Sequence, residues 1–188
     1  IYTISGAQLD VWTDFAATGS VQTLELRSLT RSFIEGTGNG SVATHGVGTG
    51  ADWVTHDGTT AWSTAGGDFD SIVLASVPGF NAATTINTQQ PFASSPALIA
   101  AVTTAITSGT PLNLAILSPL SEAGAANNFT RLSSDDSATV ARRPQLTINF
   151  THNLLPTVNP GTATSATVGS DIPLTGSTTN ALSSAWSL

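Results

Sequence analysis

The feature that most constrains this chain is a glycine-rich stretch at residues 35–70. Its sequence, EGTGNGSVATHGVGTGADWVTHDGTTAWSTAGGDFD, is crowded with Gly, Thr and Asp and holds two of the four Trp residues. A helix here is excluded, because each Gly inside a helix costs about 1 kcal/mol relative to Ala. The stretch is therefore predicted to be a long surface loop between strands. Such a loop with aromatic anchors is either functional or packed on itself.

The composition predicts the fold class. The chain has 188 residues, of which 40% are hydrophobic and 9% charged. Gly, Thr, Ser, Val and Ala dominate, which is typical of short strands joined by turns. We therefore predict an all-β protein, an antiparallel, jelly-roll-like β-sandwich with one short helix.

Alternation of apolar and polar residues predicts the strands. Residues 1–12 and 20–29 alternate and are predicted to be antiparallel neighbours. A third strand is predicted at 70–77, closed by a turn at Pro78-Gly79. The remaining predicted strands are 111–117, 129–132 and 143–150, the last with Leu146, Ile148 and Phe150 facing inward.

One helix is predicted at residues 96–108. Ser95 occupies the N-cap position, Pro96 the first helical position, and Gly109 follows the last turn. The apolar residues at helical spacing, expected to face the core, are Leu98, Ile99, Val102 and Ile106.

The composition of the sequence changes after residue 152. Residues 153–161 are rich in Pro, Asn and Gly and are predicted to be a linker. Strand-like runs follow at 164–168, 171–176 and 185–188. We therefore predict a sandwich domain at 1–152 and an incomplete second strand set at 162–188.

Charge and residue usage exclude several function classes. The net charge is −7, there is no Lys, and the five cationic residues are all Arg, so no basic patch for nucleic acid is predicted. Cys is absent, which excludes disulfides and thiolate metal sites. No apolar run is long enough to span a bilayer. This composition is typical of a secreted or cell-surface bacterial protein, and a start at Ile1 rather than Met indicates processing or excision from a longer protein.

No catalytic motif is present. The chain has no Cys, its Ser residues lie in no G-x-S-x-G context, and no H-E-x-x-H occurs. Two Asp residues of the long loop could form the carboxylate pair of a glycosidase. The alternative is that these side chains accept backbone hydrogen bonds in turns. We predict that the chain is not an enzyme. The candidate carboxylates are Asp52, Asp57, Asp68 and Asp70.

The loop contains candidate residues for carbohydrate binding. An aromatic face packs on the apolar face of a pyranose, and Trp53 and Trp62 lie in the loop with His56 between them. The alternative is that both Trp rings pin the loop onto the sandwich, since Trp is usually well buried.

Asp68 and Asp70 are candidate ligands for a structural Ca²⁺. They lie two residues apart on a flexible turn, and in an extended chain both side chains point to one face, with Phe69 facing the core. Calcium is bound by carboxylate and carbonyl oxygens. The alternative is that Asp68 accepts hydrogen bonds from backbone N–H groups of the loop.

Residues 1–151 resemble the later part of a DNRLRE-type domain, the disaggregatase-related family of secreted bacterial and archaeal proteins. This resemblance implies a non-catalytic, carbohydrate-binding β-sandwich; the family's first strands, which precede the one starting at Ile1, have no counterpart. Residues 156–188 resemble the opening of an immunoglobulin- or PKD-like module. The matching segments are SGAQLDVW (5–12), LRSLTRSFIEGTGNG (26–40), GTTAWSTAGGDFD (58–70), ITSGTPLNLAIL (106–117), AANNFTRLSSDD (125–136) and RRPQLTINF (142–150).

The sequence therefore favours an extracellular β-sandwich module that binds or organises polysaccharide. The alternative is a structural subunit of an extracellular filament or matrix, in which strands of one copy complete the next. The expected partners are polysaccharide or other copies of the chain.

Overall fold

The computed structural model describes residues 2–16, 20–37, 50–123, 130–152, 156–159, 161 and 176–179. The chain divides into two compact units, Ile4–Asn149 and a smaller one made of Ile1–Thr3 with Phe150–Leu188. Among the described residues, no helix combines the length and the apolar character needed to cross a membrane.

The structure confirms an all-β, antiparallel sandwich-like fold. Sheet A has the strand order β4-β1-β6, with β7 also paired to β1, and sheet B has the order β3-β2-β5. The strands are β1 (Tyr2–Ala16), β2 (Val21–Leu29), β3 (Phe69–Asn81), β4 (Thr88–Phe92), β5 (Leu114–Leu117), β6 (Thr130–Leu132), β7 (Gln145–His152), β8 (Thr157–Asn159) and β9 (Ser177–Thr179).

The predicted pairing of the first two strands is wrong. β1 pairs with β4, β6 and β7 in sheet A, whereas β2 pairs with β3 and β5 in sheet B. Both strands alternate as predicted, but alternation reports only which face of a strand is apolar and not its neighbour. The connection between them therefore crosses from one sheet to the other.

The core lies where the two sheets and the long helix meet. Sheet A, sheet B and the helix each bury apolar side chains in a single cluster, as expected for sheets packed face to face. Its principal members are Ala7, Val11 and Phe92 from sheet A, Leu24, Leu26, Leu74, Ala75 and Phe80 from sheet B, and Leu98 and Val102 from the helix.

Helix α1 (Pro96–Ser108) confirms the helix prediction and its signals. The N–H of Leu98 donates to Ser95 Oγ at 3.0 Å, and Gly109 ends the helix in the left-handed conformation at φ 65°. Leu98 and Val102 are fully buried, but Ile106 is 55% exposed, so the prediction that it faces the core is wrong. A second, four-residue helix, α2 (Pro119–Glu122), follows β5.

Strand β3 runs through the predicted turn. It continues across Pro78-Gly79 to Asn81 and shifts register against β2 at three places. Proline is tolerated there because β3 is an edge strand, where its missing N–H removes no ladder bond. Strand β4 was not predicted from the sequence, although Gln90 and Phe92 alternate inward along it.

Strand β7 is much more exposed than predicted. Of the three residues expected to face inward, Ile148 packs against the core, but Leu146 is 38% and Phe150 58% exposed. Tyr2 stacks on His152 with ring centroids 4.6 Å apart and meets Phe150 edge-on at 5.5 Å. Of the three apolar side chains on this face of β7, only Ile148 is therefore covered by the core.

The smaller unit contains a short pair of antiparallel strands. β8 pairs antiparallel with β9, with Val158 opposite Thr178. β8 lies within the segment predicted to be a linker, so that segment includes a strand. The predicted strands at 164–168 and 185–188, and nearly all of the one at 171–176, lie outside the described residues.

Candidate functional site

The described part of the glycine-rich loop, residues 50–68, is folded by its own hydrogen bonds. An isolated antiparallel bridge joins Thr55 to Ala61, and the backbone N–H of Trp62 donates to Val54 O at 2.9 Å. The loop is tied to the preceding segment because the Ile34 N–H donates to His56 O, also at 2.9 Å. His45 and the rest of residues 38–49 lie outside the described residues.

Two Asp side chains build the turns of this loop. Asp52 Oδ1 accepts the N–H groups of Val54 at 2.7 Å and Thr55 at 2.5 Å. Asp57 Oδ1 accepts those of Thr59 at 2.8 Å and Thr60 at 2.5 Å. Asp52 and Asp57 therefore form turns, which was the alternative to a role as catalytic carboxylates.

These bonds lower the pKa of both groups, because they favour the carboxylate form. For Asp52 the largest cause is the backbone N–H of Thr55, followed by that of Val54. For Asp57 it is the backbone N–H of Thr60, followed by that of Thr59.

Trp62 anchors the loop from inside. It is only 9% exposed, and its indole N–H donates to the backbone oxygen of Asp52 at 2.9 Å. The half-buried His56 ring lies 5.5 Å from it, centroid to centroid. Little of the Trp62 ring is therefore open to a ligand, and His56 lies beside it; carbohydrate binding by these two residues stays a prediction.

Trp53 is the exposed aromatic residue of the loop. Its side chain is 59% exposed, and its backbone oxygen accepts the N–H of Gly66 at 2.7 Å. The six-membered part of the ring lies against Gly66, where an added Cβ would stand 2.8 Å from Cη2 and 2.9 Å from Cζ3. Gly66 thus supports the ring from one side, and more than half of the residue's surface remains open.

Asp68 holds the end of the loop in place. Its Oδ2 accepts the N–H of Ser63 at 3.1 Å, and its Oδ1 accepts that of Thr64 at 3.0 Å. Arg31 Nε lies 3.2 Å from Oδ2. Burial of the Asp68 carboxyl raises its pKa, but the N–H groups of Ser63 and Thr64 together with Arg31 outweigh it, so the net pKa is lowered. The Asp68 side chain therefore accepts hydrogen bonds from backbone N–H groups of the loop, which was the alternative to binding Ca²⁺.

Asp68 and Asp70 line two different grooves. Asp70 Oδ1 accepts the N–H of Ile72 at 3.0 Å, and Asp70 lines a separate groove beside helix α1. Phe69 is half-buried with its ring against Gly67, rather than a member of the core. Within the described residues, no three His, Asp or Glu side chains converge. The Ca²⁺ prediction stays a prediction, and the melting temperature with and without a chelator tests it.

A cleft of about 630 Å³ opens beside Asp68. Ala65 and Gly67, the two neighbours of Gly66 in the chain, line it, so it lies beside the residue that supports Trp53. Its volume is in the range of small-molecule sites, although most such sites are more apolar. The polar residues that line it are Thr30, Arg31, Ser63, Thr64, Asp68 and Glu122.

Three participants in this site were not predicted from the sequence. Arg31 reaches Asp68 because the N–H of Thr30 donates to Asp68 O at 2.8 Å, which joins segments far apart in the chain. Glu122 comes from helix α2. Gly66 alone carries a local signal, since it lies in a Gly-Gly pair of the kind that marks a turn with positive φ.

Comparison of the chain with protein-family models, with curated proteins and with solved structures gave no match.

Proposed function

We propose that the larger unit is a non-catalytic module that binds polysaccharide through Trp53 and the adjacent polar cleft. The observation that carries this proposal is the exposed Trp53 ring, supported on one side by Gly66. A large aromatic ring held in a fixed position is suited to stacking on the apolar face of a pyranose. A ring merely pinning the loop would be buried, as Trp62 is.

The cleft supplies the polar half of such a site. Hydroxyl, guanidinium and carboxylate groups of Ser63, Arg31 and Glu122 line it, and sugars offer hydroxyl groups that both donate and accept hydrogen bonds. Arg31 is held by its ion pair with Asp68, and its Nη2 lies 3.4 Å from Ser63 Oγ. The polar groups are therefore partly positioned before a ligand arrives, which lowers the entropy cost of binding.

The chemistry of Asp68 supports a non-catalytic role. A glycosidase of the usual type needs a carboxyl group whose pKa is raised, so that it can protonate the leaving oxygen. The Asp68 carboxyl lines the cleft, but its pKa is lowered by the Ser63 and Thr64 N–H groups. Asp68 is therefore a poor general acid, and if the module is non-catalytic no reducing ends are released from a polysaccharide that it binds.

The test is electrophoresis through gels containing defined polysaccharides, which slows a protein that binds them. Trp53→Ala should lower the affinity at least about 10-fold, or about 1.4 kcal/mol, without changing the melting temperature. Val54→Ala removes a neighbouring apolar side chain that is 57% exposed, and it should be retained like the unchanged protein. Equal retention of the Trp53 and Val54 variants would contradict the proposal.

We also propose that the protein acts outside the cell, secreted or at the cell surface. The absence of Lys and Cys, the net charge of −7 and the resemblance of residues 1–151 to DNRLRE-type domains support this location. Immunogold labelling of the source cells tests this location. Label confined to the cytoplasm would contradict it.

A second candidate function is a structural subunit of an extracellular filament or matrix. The observation in its favour is strand β7, an exposed edge that carries no Asp, Glu, Lys or Arg. Head-to-tail addition of another segment of the next copy at this edge would build a filament, whereas pairing of β7 with itself closes at two copies, so the two uses of the edge are competing proposals. Electron microscopy of the native material tests it, because a subunit of this kind should form ordered filaments and a free module should appear as single particles.

A further inference from the structure

The edge strands of the sandwich differ in how they are protected from pairing with another chain. Edges are usually blunted by shortness, proline, charge or irregular register. β4 has five residues and contains Pro91, and β3 contains Pro78 and shifts register against β2. β5 has four residues, and β6 has three with Arg131 among them.

β7 lacks three of these protections, since it is not short and has neither proline nor a charged Asp, Glu, Lys or Arg. It is eight residues long, with the sequence QLTINFTH. Seven of the eight residues are exposed, and β1 is the only described strand with which it pairs. Its composition is that of a segment prone to strand pairing, with high β propensity and low charge.

We propose that β7 pairs antiparallel with β7 of a second copy, around a twofold axis at Ile148. This extends sheet A across two molecules by strand addition. The contact is isologous, so it closes at two copies and does not propagate into a filament.

The spacing of exposed residues on β7 sets this register. With the axis at Ile148, Leu146 of one copy lies opposite Phe150 of the other, and the symmetry repeats the pair. These are the two large apolar side chains of the strand that are exposed, at 38% and 58%. Apolar pairs directly across two strands are a main source of sheet stability. On the other face, Thr147 lies opposite Asn149 of the second copy.

The charge of the β7 strand is compatible with this contact. Each copy carries a net charge of −7, so two copies repel each other. The β7 edge has no acidic residue, and its first neighbours across the axis are uncharged. No carboxylate of β7 therefore opposes another across the axis, and screening of the net charge by salt should strengthen the association.

The first experiment is analytical ultracentrifugation from about 1 µM to about 1 mM, the range in which weak dimers form. The mass should rise with concentration from 19.1 kDa towards twice that value and stop there. A single-chain mass at every concentration would overturn the proposal, and so would growth beyond two copies.

Two variants with equal charge locate the interface. Thr147→Asp with Asn149→Asp places carboxylates opposite each other across the axis and should weaken the dimer at least about 10-fold. Gln89→Asp with Ala141→Asp adds the same charge at exposed positions away from β7 and should leave the dimer intact. A thermal melt checks that both variants are folded. A dimer that survives in the β7 variant lies elsewhere and contradicts the proposal.

Cysteine crosslinking tests the register, because the chain has no cysteine of its own. Thr147→Cys with Asn149→Cys should give a covalent dimer on mild oxidation, since these positions face each other. Thr147→Cys alone should not, because its two copies are diagonal neighbours at about 7–8 Å. Equal crosslinking of both would overturn the register.

Discussion

At the level of single residues, two glycines and two aspartates shape the described part of the loop at residues 50–68. Gly66 and Gly67 have φ of 94° and 130°, a region that side-chain-bearing residues rarely adopt. Asp52 and Asp57 close the turns with short hydrogen bonds to backbone N–H groups. Gly66 leaves room for the exposed Trp53 ring, since a Cβ at that position would stand 2.8 Å from Cη2.

Gly66→Ala should therefore both destabilise the protein and displace Trp53. The positive φ costs about 1–2 kcal/mol for any L side chain, and the new Cβ would also stand 2.8 Å from Trp53 Cη2. Gly79→Ala is the matched control, because Gly79 has φ 70° with nothing within 4 Å of the added Cβ. We expect a lower melting temperature in both, but altered tryptophan emission and weaker glycan retention only in Gly66→Ala. Identical tryptophan emission in Gly66→Ala and Gly79→Ala would contradict the contact between the Trp53 ring and Gly66.

The loop should also lose order in acid. The folded-state pKa of Asp52 and of Asp57 lies below the usual 3.8, so their stabilising effect is fully present above that pH and is lost as the pH falls through the lowered values. Tryptophan emission during an acid titration measures the transition. Asp52→Asn with Asp57→Asn keeps an acceptor oxygen without a titrating group, and it should flatten the response below pH 3.8. An unchanged response in that variant would assign the transition to other groups.

At the scale of elements, helix α1 is joined to sheet B through its own cap. Ser95 Oγ accepts the N–H of Leu98 and donates to the backbone oxygen of Leu74 in β3. One side chain thus ends the helix and attaches it to the sheet, which places Leu98 and Val102 in the core.

Ser95→Ala should lower the free energy of unfolding by about 1–2 kcal/mol, because the helix loses its cap and Leu74 O loses a donor. Ser108→Ala, at the exposed end of the same helix, removes a hydroxyl bonded to Thr104 O and should cost less than about 0.5 kcal/mol. Chemical denaturation measures both, and equal losses would show that the cap contributes nothing.

At the scale of the whole molecule, sheet A carries both buried and open apolar surface. Phe92 on β4 is fully buried in the core, whereas Phe150 on β7 is 58% exposed. The same residue type therefore serves the interior on one strand and the surface on the other. Exposed apolar residues along an edge are the kind of surface that marks association.

Phe92→Ala should lower the free energy of unfolding by about 3–5 kcal/mol, because it leaves a cavity. Phe150→Ala should cost about 1 kcal/mol or less, chiefly the loss of its contact with Tyr2. Denaturation at low protein concentration compares them without contribution from association. A larger loss of unfolding free energy for Phe150→Ala than for Phe92→Ala would contradict the finding that Phe92 is buried and Phe150 exposed.

The fold class, the glycine-rich loop and helix α1 can be predicted from the sequence, because each follows from local rules. Glycine content excludes helix, alternation indicates strands, and Ser95 with Gly109 delimits the helix. Tertiary structure alone decided which strands share a sheet, that Trp53 rather than Trp62 is exposed, and that Arg31 meets Asp68. The physical reason is that periodicity identifies the apolar face of an element, whereas the partner that covers that face comes from residues distant in the chain.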